Sequence, residues 1–271
     1  MNLEEILITP AWEWTEETGK YLKTVLTDGS AKISDRILAA ELSAELSVMN
    51  DEIAETLLAI VEDREQSEEL RGSAVTSLGP AMEYVDTMEF EDEEEEFISE
   101  PMFSKIRQSL RQLYDDAGTT EELRRQVLEA SVHAPEEWHS KAVRAAYYSE
   151  DEDWQITAVF CMNFIRGFDV EILESLRNTD PDIHIEAVSA AGAWGLDAAW
   201  EHVATLASDE DADKDLRLTA IDALAAIRPS DSLALLGNLT TSEDEDIVEA
   251  AYEALAIAEG AAGMEDWDEE E

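Results

Sequence analysis

The apolar positions of this chain recur in one short helix-forming phrase that is written seven times. The copies are Asp35-Arg36-Ile37-Leu38-Ala39, Leu70-Arg71-Gly72-Ser73-Ala74, Leu123-Arg124-Arg125-Gln126-Val127, Trp154-Gln155-Ile156-Thr157-Ala158, Ile183-His184-Ile185-Glu186-Ala187, Leu216-Arg217-Leu218-Thr219-Ala220 and Ile247-Val248-Glu249-Ala250-Ala251. With Arg36, Arg71, Arg124, Gln155, His184, Arg217 and Val248 as reference, the steps are 35, 53, 31, 29, 33 and 31 residues. Apart from the one long step, that is the period of a helical-repeat array.

The register extends beyond the phrase. The residue before the reference is apolar in six of seven copies, and the third residue after it is alanine in six of seven. The sixth after it is nearly always small (Ser77, Ala130, Cys161, Ala190, Ala223, Ala254), which lets a neighbouring helix axis approach closely. Four residues before the reference stand Ser67, Thr120, Asp151, Asp180, Asp213 and Asp244, whose side chains accept from free amides at a helix start; only Lys32 departs. Acids two residues before it complement the helix dipole. Each copy therefore predicts a capped helix.

Partner helices are expected before each of these, at about 16–26, 51–62, 100–115, 136–148, 169–177, 197–207 and 230–239. Glycine and proline junctions such as Gly79-Pro80, Gly167-Phe168-Asp169, Gly195-Leu196-Asp197 and Pro229-Ser230-Asp231 separate one helix from the next. Short connections force antiparallel neighbours. The expected fold class is all-α, a superhelix of about seven helical hairpins over residues 1–259. The long step holds an acidic insertion at about 86–98, and residues 260–271 form an acidic tail expected to be disordered.

Helix pairs of this length, with second helices such as Asp180-Pro181-Asp182-Ile183-His184-Ile185-Glu186-Ala187 and Asp213-Lys214-Asp215-Leu216-Arg217-Leu218-Thr219-Ala220, resemble HEAT repeats, in particular the short class of the phycobilin-lyase type. The resemblance spans about 15–259. It implies first helices outside, second helices lining a concave surface, and the reference arginines and capping aspartates forming an internal ladder between adjacent repeats.

Composition narrows the function more than it names it. The net charge is −48, from 66 acids against 18 bases, six of them lysine. Such a polyanion is repelled by nucleic acid and by anionic lipid. Two readings of the acidity stand side by side: adaptation to high salt, since acids occur on both helices of every repeat, and recognition of a basic partner by the acidic runs. No stretch approaches the roughly 20 apolar residues of a membrane span, and the acidic start lacks the basic opening of a signal peptide, so a cytoplasmic protein is expected. The single cysteine, Cys161, falls at a small-residue packing position.

The sequence carries few signatures of catalytic chemistry. His133, His139, His184 and His202 are scattered, with no His-Glu or His-x-x-x-His pair to seat a metal. Deoxyhypusine hydroxylases resemble this chain in fold but hold iron with several His-Glu motifs, which are missing here. No phosphate loop or nucleophile elbow is present. Neither cofactor nor metal is expected, and the expected role is a non-catalytic scaffold for a protein or peptide. A chromophore or small-molecule lyase of the phycobilin-lyase type is the alternative, since its site need carry no short signature.

One local anomaly offers a binding site. On α-helical geometry Thr157, Phe160 and Phe164 fall opposite the core positions of the fourth repeat. Where Phe160 stands, the other copies have Glu41, Thr76, Glu129, Ser189, Asp222 and Glu253. Packing against a neighbouring repeat and docking of a partner both account for the ring. The candidate partner-binding residues are Phe160, Phe164, Thr157 and His133, with Ala193 and Ala226 alongside.

Overall fold

The computed structural model describes residues 2–88 and 97–268, with side chains at 2–87 and 97–261. Every regular element among the described residues is a helix. Of the acidic insertion expected at about 86–98, the start as far as Met88 is helical and Ile98 near its end is buried, while 89–96, like the closing Glu269 to Glu271, lie outside the described residues. The chain divides into two compact units, Met1–His139 and Ser140–Glu271.

The first unit holds α1 (Leu3–Leu7), a 3-10 turn at Ala11–Glu13, α2 (Glu16–Thr27), α3 (Ile33–Leu42), α4 (Asp51–Glu62), α5 (Glu68–Thr76), α6 (Gly79–Met88), α7 (Glu100–Asp115) and α8 (Glu121–Ser131). Helices α2 and α3, α4 and α5, and α7 and α8 pack as hairpins, and the second helices α3, α5 and α8 stack in a row. Between them Leu22, Leu26, Ile53, Leu57, Leu70, Ile106, Leu110 and Leu123 are buried completely or nearly so. Each such side chain contributes about 1.5–3 kcal/mol when removed from water. Two helices were not expected: α1, and α6, which Gly79-Pro80, read as a stop, opens because proline is tolerated in a helix's first turn.

Helix α9 (Glu137–Tyr147) begins where the first unit ends. The second unit continues with α10 (Glu152–Cys161), α11 (Asp169–Ser175), α12 (Pro181–Ala193), a 3-10 turn at Asp197–Ala199, α13 (Trp200–Ser208), α14 (Lys214–Ile227), α15 (Pro229–Leu239) and α16 (Glu245–Asp268). Here α11 and α12, α13 and α14, and α15 and α16 are hairpins, with α10, α12, α14 and α16 side by side. Helix α16 passes the Gly260 boundary read for the tail. Close approach of α12 and α14 depends on small residues: a Cβ on Gly192 would lie 2.8 Å from the Cβ of Ala223.

The caps are where the spacing predicts them. Ser67, Thr120, Asp151, Asp180 and Asp213 accept from amides two or three residues on, and Asp244 accepts from Asp246 at 3.0 Å. The ladder is different from the one the resemblance implied. Each reference arginine donates from Nε to a carbonyl ten residues back, in the last turns of the first helix of its own hairpin: Arg36 to Leu26 (3.0 Å), Arg71 to Val61 (2.8 Å) and Arg124 to Tyr114 (3.1 Å) in the first unit, and Arg217 to Ala207 (2.9 Å) in the second. The last carbonyls of a helix have no partner within it, and the guanidinium supplies one. Arg36 alone of these also bonds the next hairpin's Gln66, at 2.8 Å.

Candidate functional site

The second unit brings Phe160 and Phe164 together, with ring centroids 5.4 Å apart. Both rings are half-buried. Helix α10 ends at Cys161, so Phe164 stands in the turn that follows, bonded from its amide to the Cys161 carbonyl at 3.1 Å. Asn163 locks this turn, donating to the Phe160 carbonyl (2.9 Å) and to the Glu186 carboxylate of α12 (3.3 Å). Thr157, expected on the same open side, is fully buried and belongs to the packing of α10 instead. The 100° wheel predicted its direction without the neighbouring helix that covers it. His133 lies in the first unit, where its Nδ1 is 2.8 Å from the Glu83 carboxylate and its ring fills the space beside Gly79.

The sequence reading missed Trp194. It stands at the C-cap of α12, its indole donating to the Met162 carbonyl at 2.6 Å, with the Arg166 guanidinium 4.4 Å from its ring centroid. Gly195 ends the helix with φ +57, a left-handed conformation that glycine adopts without strain; Leu196 then donates to the Ala191 carbonyl at 2.9 Å. The signal was available, since the corresponding positions are the aliphatic Ile165 and Ile227.

Placed in repeat register, these residues form two rows across α10, α12, α14 and α16. Nine residues after the reference stand Phe164, Ala193, Ala226 and Ile257, all apolar; Ala193 and Ala226 are exposed and Ile257 is 62% exposed. Five after it stand Phe160, Ser189, Asp222 and Glu253, so this row turns from aromatic to acidic along the unit. Partial desolvation, then the charge of Glu253, pushes the Asp222 carboxyl above its ordinary range. In the first unit the nine-residue row reads Glu45, Pro80 and His133 instead.

A second feature joins residues from separate helices. His184, which takes the ladder arginine's place in α12, meets His202 of α13 with 2.8 Å between the two Nε2 atoms and 5.0 Å between ring centroids. Those distances set the rings nearly end to end, the arrangement of an N–H donating to a lone pair rather than of two lone pairs converging on an ion. Partial burial holds both imidazoles below the usual histidine range, with His202's ring acting on His184 and the Arg177 charge on His202. No group of three or more histidine, cysteine, aspartate or glutamate side chains suited to a metal ion occurs among the described residues. Among them, too, no helix is long and apolar enough to cross a membrane.

Residues 170–256, from α11 into α16, match the sequence model of the HEAT repeats family. No curated protein matches the sequence. Solved structures with a similar course include human deoxyhypusine hydroxylase in complex with glycerol (16% identity, 90% of this chain and 97% of that one, TM-score 0.41) and YibA of Escherichia coli (14% identity, 91% and 86%, TM-score 0.49). An engineered protein is similar at 17% identity, 90% and 97% coverage and a TM-score of 0.34. Likeness at this level says nothing of this chain's chemistry.

Proposed function

We propose that the second unit is a non-catalytic binding module whose two rows take an amphipathic, basic segment of a protein partner. The observation that carries this is the apolar row Phe164, Ala193, Ala226 and Ile257, left partly or largely open in the turn after α10 and on α12, α14 and α16. Interfaces use aromatic and aliphatic anchors inside a polar rim, and here Phe160 and Phe164 are the anchors while Asp222 and Glu253 are the rim. A basic side chain placed between those two carboxylates would offset the partial desolvation and, after it, the Glu253 repulsion that raise the Asp222 carboxyl.

The test uses a synthetic amphipathic helix with leucine on one face and lysine and arginine on the other. Wild-type protein is expected to bind it, and Ala226→Glu or Ile257→Glu to weaken binding about tenfold or more without lowering Tm. Asp222→Asn with Glu253→Gln should flatten the salt dependence. Binding that ignores all four substitutions would place the partner elsewhere, and a coloured ligand retained through purification would replace this reading with that of a chromophore lyase.

A further inference from the structure

The arginine ladder lapses at Gln155, His184 and Val248; His202 meets His184, and beside Gln155 a cleft stands open. Gln155 occupies the reference position of α10, where an arginine would reach the end of the preceding helix; its shorter side chain donates only to the Ser149 carbonyl, at 2.7 Å. Beside it lies a cleft of about 260 Å³ lined by the polar Tyr147, Gln155, Glu174, Ser175, Arg177 and Asn178 and by the apolar Val159 and Ile183. The intact positions show what such a slot holds. Arg124 places Nε on Tyr114 and one Nη on the carbonyls of Asp116 (3.0 Å) and Thr119 (2.9 Å), while Arg36 spans from a helix-end carbonyl to Gln66 after the next hairpin's first helix. Asn178, after α11, also follows the next hairpin's first helix, one position earlier in register, and its side-chain oxygen already accepts from the Asp180 amide at 2.9 Å, with a second lone pair left to face the cleft.

We propose that this cleft is a guanidinium-binding site, filled by an arginine side chain or a small guanidinium ligand in place of the missing ladder residue. A planar fork of donors matches spaced oxygens on several backbone and side-chain groups, which a compact ammonium satisfies less well. The Tyr147 hydroxyl, already turned to the Glu171 carbonyl at 3.2 Å, and the Glu174 carboxylate add acceptors. Arg177 also lines the cleft, and a second cation beside it has a precedent in the ladder. Arg71 holds its place in the ladder although burial, and after it the neighbouring Arg64 charge, push its guanidinium pKa down. This site is independent of the two rows described above and stands or falls without them.

The experiment titrates full-length protein with agmatine, with a Gly-Arg-Gly peptide and with butylamine, followed by backbone amide shifts at concentrations far below denaturing ones. Agmatine or the peptide should saturate, moving signals at Gln155 and Asn178, with butylamine about tenfold weaker or more. Tighter binding of agmatine names a free small molecule as the natural source, and tighter binding of the peptide names a protein arginine. Gln155→Arg should abolish the binding and raise Tm by closing the ladder from within. Asn178→Trp, which blocks the mouth from the loop side, should abolish it in a second background, while Gln155→Ala should keep it. Absence of saturable shifts, equal response to butylamine, or undiminished binding in both blocked variants would overturn the assignment.

Discussion

The Nε of Arg71 donates to the carbonyl of Val61 at 2.8 Å, and the residue is 9% exposed. A buried charge is tolerable only when hydrogen-bonded, and a helix-end carbonyl left without a donor is itself costly. Arg71→Met should therefore lower unfolding free energy by about 1.5–3 kcal/mol, the range for hydrogen bonds to charged groups. Urea denaturation checks it against Lys141→Met at an exposed site, expected within about 0.5 kcal/mol of wild type.

His139 sets a pH limit. Its Nδ1 accepts from the Glu136 amide at 2.8 Å, which leaves Nε2 to donate to the Ser131 hydroxyl at 2.9 Å, so the ring is held neutral. Burial lowers its pKa from 6.5 to about 4. The unfolded chain then takes up the proton first, so stability is whole above pH 6.5 and falls as the pH drops towards 4. The full loss is about 3 kcal/mol, of which about 2 is gone by pH 5. His184 and His202 act in the same direction. His139→Gln should flatten the slope of urea-derived stability between pH 7 and pH 5; an unchanged slope would show that the ring is not the titrating group.

Two glycine-to-alanine substitutions should differ in sign. At Gly192 a new Cβ would stand 2.8 Å from the Cβ and 2.9 Å from the Cα of Ala223, and backbone cannot give way cheaply. Overpacking of about 1–3 kcal/mol outweighs the helix-propensity gain of about 1 kcal/mol, so Gly192→Ala destabilises. At Gly237, inside α15, nothing lies within 4 Å, and Gly237→Ala gains about 0.5–1 kcal/mol. Melting temperatures of the pair decide it.

The charge of −48 should make stability depend on salt. Raising ionic strength from 0.1 M to 1 M shortens the Debye length from about 10 Å to about 3 Å and screens self-repulsion. A marked rise in Tm with molar sodium chloride is the expected result for a salt-adapted surface. A Tm that stays level in dilute buffer and at high salt would leave recognition of a basic partner as the better account of the acids.

Much of the fold was legible because its signals are local. Asp180 and Asp213 announce helix starts by chemistry that acts over two or three residues, and α4 and α7 begin and end where their patterns do. The ladder was only half legible: arginine at a fixed position is visible, but its acceptor is a backbone carbonyl, which every residue carries. Thr157 went wrong because a helical wheel knows directions and not neighbours. Trp194 and the His184–His202 contact depend on which helices lie side by side, and Ile257 shows its meaning only once Phe164, Ala193 and Ala226 are placed in the same row.

The fixed ten-residue reach of the ladder also bears on how the molecule is made. Each of these bonds closes within a single hairpin, so a hairpin can be completed as soon as its own two helices exist, before anything downstream has been translated. Contacts of such short sequence separation cost little loop entropy and favour rapid folding. The nascent chain can thus consolidate turn by turn as it leaves the ribosome, with Arg36, Arg71, Arg124 and Arg217 as successive latches.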